Sequence, residues 1–164
     1  VRSLEEAYEF FCEAHEMTPA DRQRTQKFWA KVLRPYGKAG VRALERLALK
    51  AYPFRPRLPE IVCTAEDIIC PRADAITVWQ KANLEARRSG PVSPGLHPAV
   101  AGALEYVGVE RLRGGENPAF LKAELDKYVA HYNARPFAER AVLEGRATIE
   151  QIATLPSVVS WRLQ

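Results

Sequence analysis

Apolar residues recur at helical spacing along almost the whole chain. Leu4, Ala7, Tyr8 and Phe11 mark one face of a first helix, opened by the capping box Ser3-Leu4-Glu5-Glu6. Thr18-Pro19-Ala20-Asp21 opens a second, with Thr18 at the N-cap, Pro19 at the first helical position and Asp21 near the positive helix end. Phe28, Trp29, Val32 and Leu33 predict its buried face, running to about Arg34, where Pro35-Tyr36-Gly37 breaks it. A third helix is expected from Ala39 to Ala51, with Val41, Leu44, Leu47, Ala48 and Ala51 inward. The Pro53 to Pro59 segment is too rich in proline for a helix interior. Pro59 suits the first turn of a fourth helix, which carries Ile61, Val62, Ala65, Ile68 and Ile69 and ends at Pro71.

A fifth helix is predicted from Ala73 to Arg88, with Ile76, Val78 and Trp79 apolar. Ser89 to Leu96 contains Gly90, Pro91, Pro94 and Gly95 and reads as a hinge. A helix over His97 to Gly108 follows, then a loop over Arg111 to Glu116. Asn117-Pro118 opens a helix bearing Leu121, Leu125, Tyr128, Val129 and Tyr132. A helix over Pro136 to Gly145 and a short piece over Thr148 to Leu155 complete the set. Period-two alternation is nearly absent; only Ser157 to Trp161 suggests an extended end. The expected fold is all-α, about eight helices packed as two small helical parts. Residues 1–88 form a basic N-terminal module, 97–164 a C-terminal module, and 89–96 the hinge.

Charge changes this picture. Arg22 to Arg57 holds eleven Lys or Arg residues and one acid, Glu45, a local charge of +10 in a chain of net charge +4. The remainder is acidic, and Glu5, Glu6, Glu9, Glu13 and Glu16 crowd the first helix. Arg42, Arg46 and Lys50 sit four apart and form one exposed ridge on the third helix. Lys31, Arg34 and Lys38 flank it. Arg55 and Arg57 bracket Pro56 in a stiff segment that loses little entropy on binding. Like charges at this spacing destabilise a helix by a few tenths of a kcal/mol each. A chain that keeps them has a use for them with phosphates or an acidic protein surface, or pairs them with its acidic first helix.

Catalytic motifs are missing. Gly114-Gly115 is not followed by a phosphate-loop Gly-Lys-Ser/Thr, and no Gly-x-Ser-x-Gly or His-Glu-x-x-His occurs. His15, His97 and His131 lie far apart, with no ligand spacing around them, so no metal or cofactor is expected; His97, before Pro98, reads as a helix cap. Cys63 and Cys70 are seven apart and read as a buried, reduced pair on one helix face. No apolar run spans a bilayer and no signal-peptide pattern opens the sequence, which places the expected site of action in the cytoplasm.

Trp29-x3-Leu33, the Ala39 to Leu49 helix and Phe54-x-Pro56-x-Leu58-Pro59-Glu60-Ile61 together resemble the helical module of phage replicative-helicase loaders. His97-Pro98-Ala99-Val100 with Ala103, Val107-Gly108, Leu112-Arg113, Leu121-Lys122 and Tyr128 is similar to the following region of lambdoid-phage P-type replication proteins. Glu144-Gly145-Arg146-Ala147-Thr148 to Leu155-Pro156 echoes a segment there too. The resemblance implies a non-catalytic protein of replication initiation. It would bind a DnaB-type hexameric helicase, restrain it, and deliver it to single-stranded DNA, a further candidate partner. The candidate contact residues are Arg42, Arg46, Lys50, Arg55 and Arg57, with Lys31, Arg34 and Lys38. The alternative from another class is a replication or regulatory protein that binds DNA directly.

Overall fold

The structure, a computed structural model, describes residues 2–50 and 55–155. Among them are ten α-helices and no strand: α1 (Leu4–Ala14), α2 (Pro19–Leu33), α3 (Lys38–Ala48), α4 (Leu58–Ile69), α5 (Ala75–Arg87), α6 (Pro98–Val107), α7 (Val109–Arg113), α8 (Pro118–Asn133), α9 (Phe137–Leu143) and α10 (Ile149–Ala153). A 3₁₀ turn, Arg34–Tyr36, joins α2 to α3. The fold is all-α, as the helical periodicity predicts.

Local capping chemistry sets the helix starts. Ser3 Oγ accepts from the Glu6 N–H at 3.1 Å, and the Glu6 carboxylate accepts from the Ser3 N–H at 2.7 Å. Thr18 accepts from the Asp21 N–H at 3.2 Å, and Asn117 from the Ala119 N–H at 3.0 Å. Each satisfies a donor that the first helical turn leaves without a partner. Gly37 ends the 3₁₀ turn at φ 54°, a left-handed conformation that other residues rarely adopt, and so lets the chain re-enter α3 at once.

The described residues divide into two compact units. The first comprises α1 to α4, up to Pro71, with 148–155. There α3 packs against α1 and α4, and Phe11, Leu33, Leu44 and Ile61 are fully buried. Trp29 belongs to this core, edge-on to Tyr8 at 5.8 Å and tilted on Phe11 at 5.6 Å. The Tyr8 hydroxyl donates to the Arg22 carbonyl at 3.0 Å and lies 2.7 Å from Thr25 Oγ1, fixing α1 to α2. Leu155 packs against the same core.

The second unit is 72–147. In it α5 packs against α6, α7 and α8, and α6 against α8. Leu104, Leu125, Val129 and Tyr132 form its centre. Gly102 brings α6 close to Tyr128 of α8: a Cβ there would meet the tyrosine hydroxyl at 1.7 Å.

Several expectations from the sequence are corrected. The break in packing falls after Pro71 and not at 89–96, so α5 joins the second unit. The Pro/Gly-rich segment is an internal loop of that unit, held by side chains. Glu85, buried at 8% exposure, accepts from the Ser93 N–H at 2.6 Å and from Arg88 at 3.1 Å. Arg113 donates to the Ala86 and Arg88 carbonyls at 2.6 and 2.8 Å. The first three residues of the expected loop over Arg111 to Glu116 belong to the short helix α7. Phe28 is 43% exposed, so it is not a core residue. Cys63 is exposed while Cys70 and Cys12 are buried, so no buried pair forms on α4. Ala51, Tyr52, Pro53, Phe54 and the expected extended end at Ser157 to Trp161 lie outside the described residues.

Candidate partner-binding face

The basic residues of the first unit sort into those that meet an acid and those that do not. Arg22 pairs with Glu9 at 3.1 Å, Arg34 with Glu5 at 3.4 Å and Arg24 with Asp21 at 2.8 Å. Arg55 reaches Asp21 at 3.7 Å, and Arg2 reaches Glu45 at 3.4 Å. The acidic helix α1 therefore meets part of the basic stretch, as one of the sequence readings expects. These are exposed or half-exposed pairs, worth about 0.2–1 kcal/mol each and weakened by salt. The Arg34 guanidinium beside Glu5 also helps hold that carboxyl below its usual range, after the larger effect of a backbone hydrogen bond.

Among the described residues, Lys27, Lys31, Lys38, Arg42 and Arg46 have no ion-pair partner. All five are exposed. Lys38, Arg42 and Arg46 recur every fourth residue along α3 and so share one side of it. Lys50 is exposed just beyond the helix end. The opposite side of α3, with Ala43, Leu44 and Leu47, is buried. A lysine at the first position of α3 also opposes the helix dipole, which disfavours a cation there by about 0.3–1 kcal/mol. The first turn holds no acid to offset it.

On α2 the buried arc is Trp29, Val32 and Leu33. Lys27, Lys31 and Arg34 lie on the opposite side. With Ala30, Pro35 and Thr154 they line an open groove of about 620 Å³ among the described residues. Of the sequence-selected residues, then, Lys31 and Arg34 come together in this groove. Lys38, Arg42, Arg46 and Lys50 follow the α3 ridge. Arg55 and Arg57 join neither: Arg55 turns to Asp21, and Arg57, exposed, is the N-cap residue of α4.

Phe28 is the residue that the sequence reading did not assign to this face, expecting it in the core. Its signal was present in the helical spacing. At about 100° per residue, Phe28 stands roughly a quarter turn from the axis of the buried arc. It therefore borders the basic side, one turn from Arg24 and from Lys31.

His15 and His97 serve structure. The His15 ring lies on Phe11 at 4.5 Å, and its Nε2 is 3.0 Å from the Leu47 carbonyl. His97 caps α6: Nδ1 accepts from the Ala99 N–H at 3.1 Å and Nε2 lies 2.6 Å from Glu144. Among the described residues no group of three or more His, Cys, Asp or Glu side chains is placed to hold a metal ion. No described helix is long and apolar enough to cross a membrane. Comparison of the chain with protein-family models, curated proteins and solved structures finds no match.

Proposed function

We propose that this chain is a non-catalytic adaptor of DNA replication initiation, acting in the cytoplasm. It docks on an acidic surface of a DnaB-type hexameric helicase and hands the ring to single-stranded DNA. The observation that supports this reading is the α3 ridge: Lys38, Arg42 and Arg46 stay exposed with no acidic partner among the described residues, although an acidic helix packs against α3. The resemblance of its short motifs, in their order, to those of the loaders is what points to that partner.

Mechanism follows from differential affinity. An adaptor opens or restrains a ring only by as much as it binds one state of the ring better than the other. The ridge supplies the electrostatic part, which speeds encounter and fixes orientation more than it adds affinity. The test is capture of a purified DnaB-type helicase by the full chain, repeated with Arg42→Glu, Arg46→Glu and Lys50→Glu combined. We expect capture by the wild type and a loss of tenfold or more with the reversed ridge. Capture unaffected by the reversal removes the ridge from the mechanism, and no capture by the wild type removes the adaptor.

A further inference from the structure

We propose that the outer side of α2 is a binding site for single-stranded nucleic acid, separate from the α3 ridge. Lys27, Lys31 and Arg34 take successive phosphates, and Phe28 offers its ring to a base. The assignment deepens the adaptor reading and rests on it only for which strand is bound in the cell.

Three observations meet on this helix. The first is charge without compensation: Lys27 and Lys31 have no ion-pair partner among the described residues, and Arg34 has a solvent-exposed one at 3.4 Å. The second is shape. These three side chains line one groove of about 620 Å³, which Pro35 and Thr154 border. The third is an aromatic ring where the core does not need one. Phe28 is 43% exposed, while its neighbour Trp29 is buried at 6%.

The combination selects the ligand. Lysines along a groove attract any polyanion, duplex or single strand. An exposed phenylalanine beside them adds a surface on which an unpaired base can stack, and a duplex has no free base face to offer. An acidic peptide would satisfy the lysines but leave the ring unused. Among the described residues the exposed apolar neighbour of the α3 ridge is Leu49, which has no π-face. Lys27 to Arg34 rises about 10 Å along the helix axis, a length that matches roughly three phosphates of one stacked strand.

The magnitudes follow. Neutralising about three phosphates of a single strand gives a slope of log affinity against log salt near −2, so binding falls about twentyfold between 50 and 200 mM salt. Removing two lysines should flatten the slope by about 1.4. Removing the ring should weaken binding about tenfold and leave the slope alone, because stacking is not ionic.

The experiment titrates the full chain into fluorescent dT15, rU15 and a 15-base-pair duplex at three salt concentrations, with polyglutamate as competitor. Variants are Lys27→Gln with Lys31→Gln, Phe28→Ala, Phe28→Trp, and Arg42→Glu with Arg46→Glu, each checked for native helicity. We expect single strands to bind over duplex, the lysine pair to flatten the salt slope, Phe28→Ala to lose affinity at unchanged slope, and Phe28→Trp to keep it. The dT and rU arms decide whether DNA or RNA is preferred. Equal binding of duplex, full affinity in Phe28→Ala, displacement by polyglutamate at equal charge, or loss only in the Arg42/Arg46 variant each overturns the site. Helicase capture by the α2 variants separates the two proposals. If the helicase is not captured while dT15 binds as described, the adaptor reading fails and the site stands; the reverse pattern leaves the adaptor and removes the site.

Discussion

Replacing Gly102 by alanine tests the packing of the second unit with a change of sign. Alanine raises helix propensity over glycine by about 1 kcal/mol in a helix interior. On that ground alone Gly102→Ala stabilises α6. The structure opposes it: the new Cβ would lie 1.7 Å from the Tyr128 hydroxyl oxygen and 2.5 Å from the ring carbon that bears it. Ordinary contact begins near 3.4 Å. The ring tip must then retreat by about as much as the present gap, and the ring is tilted against Tyr106 with centroids 5.6 Å apart. Forcing a side chain out of a packed position costs about 1–3 kcal/mol. The net expectation is a loss of about 1 kcal/mol. In a Tyr128→Ala background nothing blocks the methyl group, and the same substitution should stabilise by about 1 kcal/mol. The coupling between the two positions is then about 2 kcal/mol, well beyond the roughly 0.5 kcal/mol scatter of independent sites. Native-state hydrogen exchange of α6 and α8 peptides reads the second unit directly, whether or not the two units unfold together. Equal effects of Gly102→Ala in both backgrounds would refute the close approach.

Other expected outcomes follow from single side chains. Glu144, whose side chain is 2% exposed, accepts from the Tyr132 hydroxyl at 3.1 Å and is 2.6 Å from His97 Nε2. Glu144→Ala should destabilise the second unit by about 1–3 kcal/mol, the cost of leaving the buried Tyr132 hydroxyl without this acceptor, since His97 is part-exposed and can turn to water; denaturant unfolding checks this, with Glu144→Gln milder. Arg113→Ala releases the Ala86 and Arg88 carbonyls and should speed proteolysis at 89–96 about tenfold in a timed subtilisin digest, while a loop that was already mobile would show no change. The Ser93 N–H holds the Glu85 carboxyl below its ordinary range. A depressed folded pKa stabilises above the unfolded value, about 4.3, and that contribution disappears as pH falls through the folded value. A pepsin digest should therefore open the loop as the pH falls below about 4.3, a change that Glu85→Gln removes. Cys63 is exposed and Cys12 and Cys70 are buried, and burial pushes the Cys12 thiol up. One equivalent of iodoacetamide should modify the native chain quickly at Cys63 by mass spectrometry, the other two reacting only on unfolding.

Helix starts were legible because capping is a local matter. Ser3, Thr18, His97 and Asn117 each bond to an N–H two or three residues on, and that partner is visible in the sequence. The division into units was not legible, because it depends on contacts distant in sequence. Gly90, Pro91, Pro94 and Gly95 look like a hinge until Arg113, about 25 residues away, is seen to hold the carbonyls that end α5. Likewise, which unit α5 joins depends on its packing against α6 and α8, which no residue within α5 announces. The basic face was legible as charge but not as two surfaces. Separating them required knowing that Trp29 and not Phe28 fills the core, a choice made by Tyr8 and Phe11 of α1.

The placement of acids decides how much of that charge remains usable. Had α1 paired with every cation, the stretch would be a closed electrostatic seam with nothing left for a partner. Glu9 and Glu5 instead meet Arg22 and Arg34, near the two ends of α2, and leave Lys27 and Lys31 between them. Asp21 likewise draws Arg24 and Arg55 to the start of α2. Each of these acids is matched by an arginine of its own, so the pairs are close to neutral and leave the charge of Lys27 and Lys31 standing. The same holds on α3, where Glu45 meets Arg2 while Arg42 and Arg46 face outward. Orientation of these helices by ion pairs and attraction of an anion by the remaining cations are therefore compatible, and the basic stretch can do both.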